Sequence, residues 1–315
     1  MTDAVSSPKN FRWEKLGRII APMDSISWMR THAGPSFARP IPNSDFVDIF
    51  VTGRDVENRS QIGKIRISLK NPQELLDISS EPIFSWGEAG AFDENGVSYP
   101  CLIEHNKRVY MLYVGWMPTV ITPFQNHIGL AMQQDDGSFT RVSKAPILER
   151  TNDDFLSMGS VGILKEKDFF RLYYTSFLSW GTKKNEAKHR YVIKYAESKD
   201  LIQWRRDNHT CINIQNDSEF SICRPSIVQW DEKYHMWYSY RGEHYRIGYA
   251  HSTDGKNWIR ADEYAGIAPS ETGFDSLAQA YPHVFQHKDT YYMIYNGNHY
   301  GKEGLGLAKL VGAKL

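Results

Sequence analysis

The chain has 315 residues, 41% of them hydrophobic and 23% charged, with a formal net charge of zero. This is the balance of an ordinary soluble globular protein; it gives no basic surplus for a polyanion, so no nucleic-acid partner is expected. No apolar run reaches the length of a membrane span, and three cysteines without metal-ligand spacing point to neither a disulfide framework nor a metal centre.

Residues 1–10 carry no apolar h-region, so no secretory signal is expected there and a reduced, cytoplasmic setting is the simplest reading. Beyond them the chain repeats itself at intervals of roughly 55 to 65 residues, a length that suits one four-stranded propeller blade with its loops. An aromatic strand recurs at 45–53, 108–115, 169–176, 233–240 and 290–297, as in Thr290-Tyr-Tyr-Met-Ile-Tyr-Asn-Gly297. A second strand follows each copy: Gln61-Ile-Gly-Lys-Ile65, His127-Ile-Gly-Leu-Ala131, Val192-Ile-Lys-Tyr-Ala196, Arg246-Ile-Gly-Tyr-Ala250 and Gly304-Leu-Gly-Leu-Ala308. An outer-strand ending is expected at 81–84, 145–148, 211–214 and 265–268, whereas the last repeat stops at its third strand. The missing ending stands at 17–22. These patterns predict an all-β fold, a five-bladed β-propeller forming one domain over 1–315, its ring closed by the N-terminal strand completing the last blade.

Two insertions, 116–126 and 178–190, join second to third strands and are expected to wall the mouth of the central funnel. The lysine-rich run 183–188 reads equally as a solvated loop tip. Superposing the five inner-strand entries places His32, Tyr99, Ser160, Arg224 and Tyr281 near the axis, a polar and aromatic set suited to a hydroxylated or anionic small molecule. Arg54, Arg59 and Arg241, at strand ends, are expected to add paired donors for a carboxylate or phosphate, and Asn298 joins them; pairing of Arg54 with Asp55 to pin the loop is the competing reading. A second ring of acids lies just upstream of the entries: Asp93 with Glu94, Asp154, Glu219 and Asp275, each ring position beside a phenylalanine. Acid–base cleavage of a glycosidic bond needs two carboxyl groups in different environments, which makes Asp93, Glu94, Glu219 and Asp275 candidate catalytic residues. A residue repeated in every blade also serves the fold by capping a turn, and that reading stands beside the first. Histidine spacing offers no metal motif, and no cofactor is expected.

The strands of the type Tyr-x-Met-x-Tyr-x-Gly and the turn Ile247-Gly-Tyr-Ala-His-Ser-Thr-Asp-Gly-Lys-Asn-Trp258 resemble the five-bladed propeller glycosidase superfamily, which includes glycoside hydrolase families 43, 32, 68 and 130. The resemblance spans nearly the whole chain. It implies a sugar-processing enzyme that cleaves or transfers a glycosidic or glycosyl-phosphate bond of a small sugar compound or sugar phosphate, in bacterial polysaccharide or natural-product metabolism. One departure matters. Family 43 places acids immediately before the inner-strand proline or its equivalent, where this chain has Ala33-Gly34, Ser98-Tyr99, Gly159-Ser160, Cys223-Arg224 and Ala280-Tyr281. A carbohydrate-binding propeller that has lost its hydrolytic acids is therefore the alternative, and a non-hydrolytic enzyme using His32 as base is a third reading.

Overall fold

The computed structural model describes residues 11–184 and 188–312. The N-terminal segment 1–10 and part of the lysine-rich run, 185–187, lie outside the described residues. Alternating apolar and polar side chains, dense in Val, Ile, Tyr and Phe, make almost every element a strand, and helical structure among the described residues is confined to three short 3-10 turns. The strands are β1 (Trp13–Ile20), β2 (His32–Pro40), β3 (Phe46–Arg54), β4 (Ser60–Ser68), β5 (Asn71–Ile78), β6 (Val97–His105), β7 (Arg108–Pro118), β8 (Phe124–Gln133), β9 (Phe139–Arg141) and β10 (Met158–Lys165). They continue as β11 (Phe170–Ser179), β12 (Arg190–Ser198), β13 (Arg205–Ile212), β14 (Ser221–Trp230), β15 (Lys233–Arg241), β16 (Tyr245–Ser252), β17 (Ile259–Arg260), β18 (Ala280–His287), β19 (Thr290–Asn296) and β20 (Leu305–Leu310).

Antiparallel meanders form the sheets β2-β3-β4-β5 and β6-β7-β8-β9, and a longer sheet holds β10 to β13 and β14 to β17, joined only by one parallel bridge between Tyr191 and Ser221. The remaining sheet has the order β1-β20-β19-β18, with β1 antiparallel to β20 from Trp13 opposite Leu310 to Ile20 opposite Leu305. The N-terminal strand thus completes the sheet built by the last repeat, and no edge of β20 is left open. The first strands of the repeats, β2, β6, β10, β14 and β18, neighbour one another in a closed cycle.

Three of the expected outer-strand endings are placed differently. Residues 81–84, 145–148 and 265–268 follow the outer strands β5, β9 and β17 and lie outside any strand, with only an isolated bridge from Ile62 to Phe84. Pro82 and Pro146 cannot donate to a ladder, so two of these segments peel off and use their apolar residues as plugs between sheets. Phe84, Leu148 and Ala265 each belong to a different buried cluster.

The core is accordingly divided, with an apolar cluster between each pair of neighbouring sheets and a further one between the β10–β13 and β14–β17 halves of the longer sheet. The recurring Ile-Gly pair belongs to this packing. A Cβ on Gly63 would stand 2.1 Å from the Trp28 ring, and one on Gly129 would stand 2.3 Å from the Tyr113 ring. Glycine there lets a large ring lie flat on the third strand. Gly63→Ala should therefore destabilise the fold by about 1–3 kcal/mol, the usual cost of overpacking, seen as a lower urea midpoint.

Candidate functional site

A cavity of about 300 Å³ lies at one end of the closed cycle of inner strands. All five inner strands contribute to it, through His32, Gly34 and Pro35, Ser98 and Tyr99, Gly159 and Ser160, Cys223, and Tyr281. Each inner strand breaks register at this level, between Ala33 and Ser36, Ser98 and Cys101, Met158 and Val161, Cys223 and Ser226, and Ala280 and His283. At three of these bulges the residue before the proline takes a left-handed backbone: Tyr99 at φ 54°, Arg224 at 53° and Tyr281 at 56°. Bulges re-aim side chains, and such strain persists only where neighbours hold it. The neighbours here are hydroxyls: the amides of Tyr99, Arg224 and Tyr281 donate to Thr52 Oγ1 (3.0 Å), Ser160 Oγ (2.8 Å) and Ser239 Oγ (2.6 Å).

Of the residues expected near the axis, the cavity brings together His32, Arg54, Tyr99, Ser160, Arg241 and Tyr281. Arg54 donates to Asn58 Oδ1 at 2.7 Å and lies over the Trp116 ring, while Arg241 lies over Phe220, Tyr245 and Tyr300. The Tyr191 and Tyr245 hydroxyls are 2.6 Å apart, and Tyr281 packs against both Tyr99 and Tyr245. Both insertions reach the mouth, the first through Phe124 and Asn126 and the second through His189, whose ring meets Phe124 and Trp180. Burial, with Arg54 and Lys302 nearby, holds the His32 pKa down to about 4, so this imidazole is neutral at physiological pH. Burial and then Arg241 also lower that of His189. Thr31 Oγ1 stands 2.9 Å from His32 Nδ1, leaving Nε2 available to a ligand.

Sequence reasoning missed Asn126, Tyr191 and Tyr245, although a signal was present. Each stands two residues before the isoleucine of its strand (Ile128 in β8, Ile193 in β12 and Ile247 in β16), so the same register recurs in three strands.

Three expected binding residues lie elsewhere. Arg59 pairs with Asp55 at 2.9 Å, with its guanidinium over Trp86. Asn298 is buried and ties down the entry loop, accepting from the amides of Leu277 (2.8 Å) and Ala278 (3.0 Å). Arg224 sends its side chain away from this cavity and lines a second one further along the axis.

The expected catalytic acids require a larger correction, because no carboxylate lines the cavity. Asp93 accepts from Tyr113 Oη (3.0 Å) and Arg141 Nε (2.8 Å), and Glu94 accepts from the Gly90 amide. Glu219 is gripped by Arg260 through Nη1 (2.8 Å) and Nη2 (2.5 Å), and Asp275 accepts from Lys15 Nζ (2.6 Å) and Tyr295 Oη (3.1 Å). Asp154 follows the same pattern with Lys194, Arg206 and Tyr174. Burial opposes ionisation of Asp154 and Asp275, but the donors outweigh it and both pKa values fall below the usual carboxylate range. For Asp93, Asp154, Glu219 and Asp275 the physical reason is shared: the loop before the inner strand runs beside the outer strand of the same meander, which supplies a cation.

The architecture is that of glycoside hydrolase-like propellers. Similar solved structures include one titled a glycoside hydrolase (18% identity, TM-score 0.72, covering 98% of this chain and 93% of that one) and a thermostable family-43 glycoside hydrolase (18%, TM-score 0.63, 92% of each). A third, at 14% identity and TM-score 0.71, covers 97% of this chain and 95% of its own; its title describes a family of mannoside phosphorylases containing hydrolases that target β-1,2 mannosidic linkages in Candida mannan. No protein-family model matches the chain. The chain belongs to the same family as two proteins of Mycobacterium tuberculosis, uncharacterized protein MT1551 of strain CDC 1551 / Oshkosh and uncharacterized protein Rv1502 of strain ATCC 25618 / H37Rv. Each is 36% identical over 301 residues, which cover 95% of this chain and 99% of the relative.

Asp93→Asn should destabilise the protein by about 3–5 kcal/mol, since it removes the carboxylate that Arg141 pairs with, and Glu219→Gln by less, because Arg260 keeps Asp262 as a second counter-charge at 2.6 Å. Calorimetry should show the lower midpoint, while ligand binding by the remaining folded molecules stays at the wild-type level.

Proposed function

We propose that the chain is a single propeller domain of five blades, the eight-stranded sheet counting as two, whose axial cavity binds an anionic sugar compound of the sugar-phosphate or uronic class. One observation carries this reading: the lining joins two arginines, two imidazoles and five tyrosines without a single carboxylate. Guanidinium groups half-sheltered from water favour a phosphate or carboxylate through charge-assisted hydrogen bonds. Tyrosine faces offer stacking surface to a sugar ring, and their hydroxyls and Ser160 can meet its hydroxyl groups. Two-carboxylate hydrolysis is not supported, because that chemistry needs two acids flanking the scissile bond, whereas Asp93, Glu219 and Asp275 are held in ion pairs and Glu94 by the Gly90 amide, all outside the cavity. A glycosidase-type scaffold used for binding fits this site best.

Titration calorimetry with glucose 1-phosphate, glucuronate and glucose tests it. Binding of an anionic sugar at least ~10-fold tighter than glucose is expected, and Arg54→Gln or Arg241→Gln should weaken it by about 10- to 100-fold, the worth of one charge-assisted hydrogen bond. Equal affinity for charged and neutral sugars would discard the reading.

His32 favours a second reading, a non-hydrolytic enzyme acting on an activated or anionic sugar. Its imidazole is neutral, partly buried and oriented by Thr31, the state a general base requires. If so, wild-type protein turns over such a compound, the rate falls as pH drops through about 4, where the imidazole becomes protonated, and His32→Gln lowers kcat by ~100-fold or more with binding retained. No turnover in the wild type leaves binding as the function.

A further inference from the structure

The second cavity, of about 220 Å³, is also enclosed by all five inner strands, beyond the bulges that shape the tyrosine pocket. Most of its lining side chains are apolar, Phe37, Leu102, Ile227 and Phe285 among them, while Ser226, His283 and Arg224 supply polar groups, and Arg224 is the one arginine or lysine. This side chain is only 2% exposed. Nη2 is used fully, donating to the carbonyls of Ser36 (2.6 Å) and Pro100 (3.1 Å). Nη1 is buried and has no hydrogen-bond partner among the described residues, and neither does the hydroxyl of Ser36, the residue whose carbonyl Nη2 touches. No acidic residue lines the cavity.

A guanidinium stays charged inside a protein even where burial lowers its pKa, as it does here. Nothing else on the walls changes the count. His283, stacked on Phe37 at 4.0 Å, has its pKa pressed down to about 3 by burial and then by Arg224, so it is neutral. Burial raises the Cys101 pKa and keeps that thiol protonated. The cavity therefore holds one net positive charge, on a buried guanidinium that meets two carbonyl dipoles and the Tyr99 ring but no carboxylate. A buried charge without a counter-charge is strongly unfavourable, and an unmet N–H inside a protein calls for an acceptor.

We propose that this lower cavity is a binding site for a small monovalent inorganic anion of the halide class, held on Arg224 Nη1. One such ion neutralises the single charge and supplies the missing acceptor. Apart from Arg224, Ser226, His283 and Cys101, the lining side chains offer a sugar or a multiply charged phosphate no polar partner. The ion also secures Arg224 at its left-handed bulge, which stands at the floor of the pocket above.

Crystals of the wild-type protein grown in sodium bromide test this directly. A bromine anomalous peak within hydrogen-bonding distance of Arg224 Nη1 is expected; no peak there, or a water in its place, overturns the proposal. In solution, Tm should rise with bromide from ~10 mM to ~500 mM by about 2–5 °C more than with sodium gluconate at equal ionic strength, as ligand linkage requires. Arg224→Met should abolish that bromide-specific difference. The same difference in the variant overturns the proposal, and if the variant does not fold the anomalous map decides alone.

Discussion

A buried carboxylate tied to a cation on the outermost strand of its own sheet is the interaction on which this architecture rests. Asp93 with Arg141, Asp154 with Arg206, Glu219 with Arg260 and Asp275 with Lys15 repeat it in the β6–β9, β10–β13, β14–β17 and β18–β1 groups. Each pair spans a meander from the loop that enters it to the strand that ends it. In three groups a tyrosine of the second strand, Tyr113, Tyr174 or Tyr295, donates to the same carboxylate. A charge pair out of water is stabilising only when its other lone pairs are also met, and these donors add to that, although Asp93 Oδ1 has no hydrogen-bond partner among the described residues. The β2–β5 sheet has Trp28 in place of the acid, its Nε1 donating to the Ser79 carbonyl and its ring seated on Gly63.

In the last sheet this interaction also closes the ring. Lys15 belongs to β1 and Asp275 to the entry loop of β18, 260 residues later in the chain. The ion pair and the β1–β20 ladder together fasten the two ends of the described chain to one sheet, so the inner strands stay converged and a cavity survives between them. With the acids committed to the scaffold, the axial pocket is left to cations, imidazoles and tyrosines. Its electrostatic character is thus a by-product of how the sheets are held, and the proposal of an anionic ligand follows from it.

The repeat was legible because each unit faces the same packing problem and solves it with the same residue types. Aromatic strand, Ile-Gly strand and entry loop recur in the primary structure as they do in space. The N-terminal completion of the last sheet was legible too, as a missing ending at one terminus and a surplus one at the other. Outer strands were less so: β9 and β17 are only three and two residues long, and the Pro-containing endings that seemed to mark outer strands are plugs between sheets. Six of the nine expected binding residues reach the pocket. Arg224 and Asn298 fail because a position near the axis does not say which way a side chain leaves a bulge or whether a neighbouring amide claims it.

By itself the amino-acid sequence determined the all-β meander, the recurrence of its strand pattern and the approximate level at which inner strands converge, since these follow from periodic side-chain patterns of short range. It also singled out the acids, but could not assign them, because a carboxylate beside an inner strand reads alike whether it faces a ligand or an arginine some 50 residues away. Only the tertiary structure decided that. Burial and the approach of Arg141, Arg206, Arg260 and Lys15 depend on how the sheets fold back on themselves, and that geometry made the acids structural and left the axial pocket without them.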